Sequence, residues 1–297
     1  MSVISQVLVL FLLMLCGLLA VKARWINDAG LQGLNKLVIY FSSPFLILSK
    51  LQQDATPELL PDLINVFWMG GLAIVLCGAI GLFIFRKEKE DRKKIFVGMA
   101  MFSNAGFMGF PVLISAFGEE KLIYGIIYVA IFNVLLWSVG VLIFDKHALS
   151  LKKIVTVPTL LASVLGVILF LLNIRLPAML NQTLELMGDT TTPVAMFVVG
   201  ARLSQLRKED VKDVKLLLAC GLRLIVLPLI IYFLTGLLGA ADMVRTTVTL
   251  CTAMPCAAVQ VIHAETYHGN APLASRGVAL STALSMVTIP VLLTFLL

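Results

Sequence analysis

The stretch FSNAGFMGFPVL, Phe102–Leu113, places a hydroxyl (Ser103), an amide (Asn104), two glycines (Gly106, Gly109) and a proline (Pro111) inside a charge-free run, Ile95–Gly118. Proline removes a backbone donor and crowds the preceding turn, yet it suits the opening of a helix. The spacing predicts one half-helix over Ile95–Ser103, irregular backbone from Asn104 to Phe110, and a second half-helix from Pro111. At membrane depth such backbone is stable only when buried in protein or lining a wet cavity. A second stretch, MPCAAVQ (Met254–Gln260), repeats the arrangement, with Pro255 expected to open a half-helix through Ala264.

The chemistry this permits is anion binding. A helix N-terminus carries roughly +0.5 charge and favours an anion by about 0.3–1 kcal/mol, or about 2 when partly buried. Two such ends at one point supply about 1–4 kcal/mol, against about −4.1 kcal/mol for a millimolar ligand. Asn104 adds an amide donor. The candidate binding residues are Ser103, Asn104, Ala105, Gly106 and Pro111 from the first stretch, and Met254, Pro255 and Gln260 from the second.

Other polar residues carry two readings each. Arg223 inside an apolar run is either a pathway charge or a side chain snorkelling to the interface. Asn133 either lines a cavity or bonds a neighbouring helix. Gln260 either faces the site or turns from it. His263, Glu265 and His268 fit a solvated interface better than a metal site, since no further ligand set is near in sequence. Ser42, Ser43, Thr191 and Thr192 are expected to satisfy backbone groups before their prolines. The five cysteines sit within apolar runs and read as packing residues, without a disulfide framework or metal set. No Asp or Glu falls in the centre of a long apolar run. Ion-coupled carriers usually place one there, so transport without a dedicated coupling carboxylate is expected.

The elements that would position these residues are membrane helices. The chain is 60% hydrophobic and 13% charged, and a bilayer crossing takes about 20 apolar residues. Ten spans are expected: Met1–Val21, Leu37–Ser49, Leu63–Phe85, Ile95–Gly118, Leu122–Phe144, Ile154–Ile174, Thr190–Ala201, Leu224–Ala241, Thr246–Ala264 and Gly277–Leu297. Met1–Val21 lacks a basic residue ahead of its apolar run and reads as a retained span. Of the 23 Lys and Arg residues, eighteen fall in loops on one side, four (Lys50, Lys121, Arg175, Arg245) on the other, and Arg223 lies within a span. The positive side is cytoplasmic, which puts both termini outside and makes the net charge of +6 a topology signal. Nucleic-acid binding finds no support in charges confined to short inter-helix loops.

The second and seventh spans are short, and each begins with two hydroxyl residues before a proline, Pro44 or Pro193. Pro44 and Pro111 are 67 residues apart, and Pro193 and Pro255 are 62. These matching interruptions suggest a five-plus-five repeat whose second copy is inverted, as in secondary transporters with midplane sites. Its halves would be residues 1–144 and 154–297, joined by a cytoplasmic linker over 145–153.

Three segments in this order resemble one family. NAGFMGFP (Asn104–Pro111) resembles the crossover motif of the auxin efflux carriers, GDTTTPVAMFVVGARL (Gly188–Leu203) their seventh-helix motif, and MPCAAVQVIHAETY (Met254–Tyr267) their ninth-helix motif. The resemblance implies an all-α integral membrane protein, a ten-helix inverted repeat with broken crossover helices four and nine. It implies scaffold helices 1, 2, 6 and 7, and transport helices 3–5 and 8–10 that slide as an elevator. It also implies organic-anion cargo: family members include plant auxin exporters and bacterial carriers suggested for malonate or malate. By motif, Asn104 matches the substrate-contacting Asn, and Pro111 and Pro255 match the crossover prolines. Gln260 stands near where plant members carry another proline, and the loop Asp145–Lys153 is short where many carry a long insert.

The reading is a secondary carrier, an exporter of a small organic anion in the bacterial plasma (inner) membrane. It calls for no cofactor and no metal, with a homodimer through the scaffold helices as the candidate assembly. An anion leaving a negative-inside cell gains about 2.3 kcal/mol per 100 mV. The rivals are a proton- or sodium-coupled dicarboxylate carrier, a membrane anion sensor, a channel, and an intramembrane enzyme. For the last, no His-Glu-x-x-His run or Gly-x-Ser-x-Gly elbow is present in the sequence.

Overall fold

The computed structural model describes residues 3–54, 56, 59–150, 152, 155–206 and 210–296. Met1, Ile154 and Leu297 of the expected spans, and Lys153, Arg207 and Lys208 of the loops, lie outside the described residues. The chain is all-helical, about 82% helix, with no strand among the described residues.

The helices are α1 (Val3–Lys22), α2 (Asp28–Lys50), α3 (Leu59–Ile84), α4 (Glu90–Met101), α5 (Ala105–Phe117), α6 (Glu119–Phe144) and α7 (Pro158–Leu171). They continue with α8 (Ala178–Gly188), α9 (Thr191–Arg202), α10 (Val214–Leu237), α11 (Asp242–Ala253), α12 (Val259–Thr266) and α13 (Ala271–Leu296). Five of them, α2, α3, α6, α10 and α13, are long and apolar enough to cross a membrane. Their outer faces leave large apolar side chains exposed, such as Ile64, Phe67, Leu72, Phe233, Val287 and Val291, as lipid contact requires.

Two expected boundaries are corrected. The second span is not short: it begins at Asp28, where the Asn27 side chain accepts the Gly30 N–H at 2.9 Å. The first turns, DAGLQGLNKL, are amphipathic and carry four charged or amide side chains, Asp28, Gln32, Asn35 and Lys36, that mask them in an apolar scan. The eighth span likewise starts at Val214, capped by Asp213 on the Leu216 N–H at 3.2 Å.

Pro111 and Pro255 act differently from the expectation. Pro44, Pro111 and Pro228 do not break their helices. Each follows, by two residues, a five-residue wide turn of π type, over Val38–Ser42, Ala105–Gly109 and Leu222–Val226. A wide turn shifts the hydrogen-bond register by one residue, which accommodates a ring that cannot donate and crowds the carbonyl four residues back. The expected fourth span is therefore interrupted only over Phe102–Asn104, and its second half, α5, starts at Ala105 rather than Pro111. Pro255 lies in the break between α11 and α12, and helix resumes at Val259.

Helix α1 lies along α9 at backbone contact. A Cβ on Gly200 would fall 1.9 Å from the Met14 carbonyl oxygen, and one on Gly17 1.9 Å from that of Phe197. Small residues permit this approach, which lipid-phase helix association favours. Helices α7 and α8 pack on the second part of α2. Helix α3 packs against α4, α6 and α11, α10 against α11, α5 against α6, and α12 against α13.

Candidate functional site

The two interruptions meet. Ser103 and Cys256 form an isolated antiparallel bridge. The Asn104 N–H donates to the Pro255 carbonyl at 2.7 Å, and the Ala257 N–H to the Phe102 carbonyl at 3.0 Å. The Cys256 N–H donates to the Ser281 hydroxyl of α13 at 3.1 Å. Backbone freed from helix geometry is thus paired, as buried polar groups must be. Four helix ends converge here: the C-termini of α4 and α11, and the N-termini of α5 and α12.

Arg223, on α10, is 1% exposed. Its Nη1 donates to the Ala100 carbonyl at 2.6 Å, its Nε to the Met254 carbonyl at 3.2 Å, and its Nη2 to the Thr252 carbonyl. The snorkelling alternative does not hold, because the guanidinium reaches inward to the last carbonyls of α4 and α11.

The N-termini line a cavity of about 490 Å³. Ser103, Asn104 and Gly106 come from the first interruption and the helix after it, and Ala257, Ala258 and Val259 from the second. The walls are largely apolar, with aromatic rings from Tyr40, Phe107, Phe110, Phe132 and Trp137. Asn35, Ser43, Asn133 and Thr159 add polar groups, and no charged side chain lines it among the described residues. The Ser103 and Ser43 hydroxyls are buried without a hydrogen-bond partner. An unpaired buried donor costs about 1–3 kcal/mol, so each is available to a ligand.

Of the candidate residues, Ser103, Asn104, Gly106 and Asn133 line this cavity. Asn133 also donates to Thr159 at 3.0 Å, so the cavity and interhelical readings hold together. Ala105, Pro111, Met254 and Pro255 are buried beside it without lining it. Gln260 turns away: it is fully buried against α4, where a Cβ on Gly98 would fall 2.2 Å from its Oε1.

Sequence reasoning missed Asn35, Tyr40, Ser43, Phe132, Trp137 and Thr159. One signal was present: Asn35, Ile39 and Ser43 recur at four-residue spacing and share one helix face. Ser43 does not satisfy backbone as expected, and Thr191 is also unpartnered, while Ser42 pairs with the Thr190 hydroxyl at 2.7 Å. His263 is corrected too. It is 1% exposed and ringed by Trp137, Phe144 and Tyr267 at centroid distances of 5.2, 5.9 and 6.0 Å, not at a solvated interface. No cluster of three metal-binding side chains occurs among the described residues.

A second cavity of about 680 Å³ shares Asn35, Ile39, Tyr40 and Ile262 with the first. It is charged, with Asp28, Lys36, Arg202 and Glu265 in its walls. It lies at the end of the molecule that holds the N-terminus of α2 and the C-termini of α9 and α12.

The sequence profile of a family described as membrane transport protein matches residues 2–154 and 147–293. The chain is 25% identical over 300 residues to an uncharacterized transporter of Methanocaldococcus jannaschii, covering 95% of each chain. It is 28% identical over 295 residues to an uncharacterized transporter of Methanothermobacter thermautotrophicus, covering 96% of each. A multi-pass helical chain with paired helix breaks over a polar-tipped cavity, matched along nearly its whole length, belongs to the membrane transport protein family, the auxin efflux carrier-like transporters.

Proposed function

We propose that this transporter is a secondary carrier that exports a small organic anion held at the crossover. The observation that carries the reading is the single cavity lined by the N-termini of α5 and α12 together with the unpartnered Ser103 hydroxyl. Two positive helix ends, a hydroxyl and the Asn104 amide form a receptor for one carboxylate, and the aromatic walls suit an apolar body. A dicarboxylate, the ion-coupled rival's cargo, would leave its second charge against apolar walls. Flux that follows membrane potential supports the uncoupled carrier, whereas flux that requires a proton or sodium gradient at zero potential supports the rival.

The proposal includes the architecture. Each of α1–α6 has a counterpart among α7–α13 in the order of a five-plus-five repeat, with α4–α5 answering α11–α12. Matching contacts support it, since α1 packs on α9 as α7 packs on α2, and α3 on α4 as α10 on α11. In this reading α1, α2, α7, α8 and α9 form the scaffold and the rest slides as an elevator, with both termini extracytoplasmic. The charged second cavity then opens to the cytoplasm, where Lys36 and Arg202 would attract an anion before loading. A homodimer through the scaffold remains part of the proposal.

The test is a thermal-shift screen of organic acids on purified protein, followed by flux in proteoliposomes. The best acid is expected to raise the Tm of the wild type and to be carried. A hydrogen bond to a charged group is worth about 1.5–3 kcal/mol, so Asn104→Ala should weaken binding by roughly 10–150-fold and abolish the shift. An undiminished shift in that variant removes Asn104 from the site, and absence of flux refutes the carrier.

A further inference from the structure

We infer that Arg223 is a built-in counter-cation for the crossover, filling the electrostatic place that a coupling sodium ion would occupy. The inference deepens the carrier reading and rests on it only for its flux measurement.

In carriers with interrupted helices, unwound carbonyls and half-helix C-termini are where a coupling cation is coordinated. Here the corresponding oxygens are those of Ala100 at the end of α4, and of Thr252 and Met254 at the end of α11. One guanidinium holds all three. No carboxylate pairs with Arg223 among the described residues, although a buried charge needs a partner. Its counter-charge is the pair of helix ends. Each carries roughly −0.5, so together they balance one positive charge. The N-termini of α5 and α12, about +1 together, are left for the substrate anion. The crossover is then neutral only when an anion is bound, with no mobile cation required.

The side chain suits the task. A guanidinium is a planar fork of five donors that stays charged, and it can span carbonyls from two helices; an ammonium is a point charge with three. Arg223 is therefore a positioning residue. It holds the two C-terminal ends together so that the N-terminal ends face one cavity.

The experiment compares thermal unfolding of purified wild type, without substrate, in sodium, potassium and choline chloride at equal ionic strength. The same Tm in all three is expected, and stabilisation specific to sodium overturns the inference. Arg223→Ala should lower Tm by roughly 10 °C and regain part of it, saturably, in millimolar methylguanidinium or sodium but not choline. A variant as stable as wild type, or one that no small cation restores, overturns it. Where the alanine variant does not fold, Arg223→Lys decides: it should fold and stay indifferent to sodium, and failing either refutes the proposal. Flux of the transported acid should be equal in sodium and choline at fixed pH and potential, and a sodium requirement overturns the inference. Absence of flux in every salt refutes the carrier reading and leaves the stability measurements to decide on Arg223.

Discussion

Replacing Gly200 by alanine should separate α1 from α9. The added methyl would sit 1.9 Å from the Met14 carbonyl oxygen and 2.4 Å from its carbonyl carbon. Ordinary contact begins near 3.4 Å, so α1 must retreat by roughly 1.5 Å, and both obstructing atoms are backbone. Overpacking of this kind costs about 1–3 kcal/mol, or roughly 2–10 °C in Tm for a chain of this size. Gly17→Ala meets the same seam from the other side, 1.9 Å from the Phe197 oxygen. Once either methyl has pushed the helices apart, the second finds room. The double variant should therefore lose distinctly less than the sum of the two single losses, as contacting sites do. The assay is thermal unfolding of the four proteins in one detergent. Single variants as stable as wild type, or strictly additive losses, would refute the backbone-contact account of this seam.

Two further predictions concern the ends of the molecule. Lys50 of α2 pairs with Glu119, at the start of α6, at 2.5 Å, with Asp189 at 4.0 Å. In an elevator this contact joins a fixed helix to a moving one, so Glu119→Gln should raise exchange rates by about 2–5-fold, the worth of a partly exposed pair; unchanged or slower exchange removes it as a latch. At the opposite end, Asp213 is subject to burial, which raises its pKa. Hydrogen bonds from Arg92 and the Leu216 N–H, and the charges of Arg92 and Arg276, outweigh that and hold the carboxyl below the usual range. A depressed folded pKa stabilises above the unfolded value of about 3.9 and is lost as pH falls through the lower folded value. Asp213→Asn should lower Tm at pH 7, and its deficit against wild type should shrink below about pH 4; a deficit that grows on acidification contradicts the assignment.

The sequence alone determined that the chain is a helical membrane protein, that two of its apolar runs are interrupted, near Ser103 and near Pro255, and that Ser103 and Asn104 belong to the first interruption. Those properties are local. Long apolar runs have one stable solution in lipid, and a polar, glycine-containing patch inside one marks where that solution fails. What only the tertiary structure decided is which groups meet. Pro111 looked like a helix start because a proline's effect depends on the preceding turn, and a wide turn over Ala105–Gly109 absorbs it. Arg223 read equally well as a pathway or an interface charge, because its partners are backbone carbonyls from two other helices, and carbonyls have no sequence signature. Ser43 lines the cavity, and Gln260 is buried against α4, for the same reason. One hydrophilic side chain on a helix can face a neighbour or a cavity, and the packing of α12 on α4 and the place of α2 beside the two interruptions settle which.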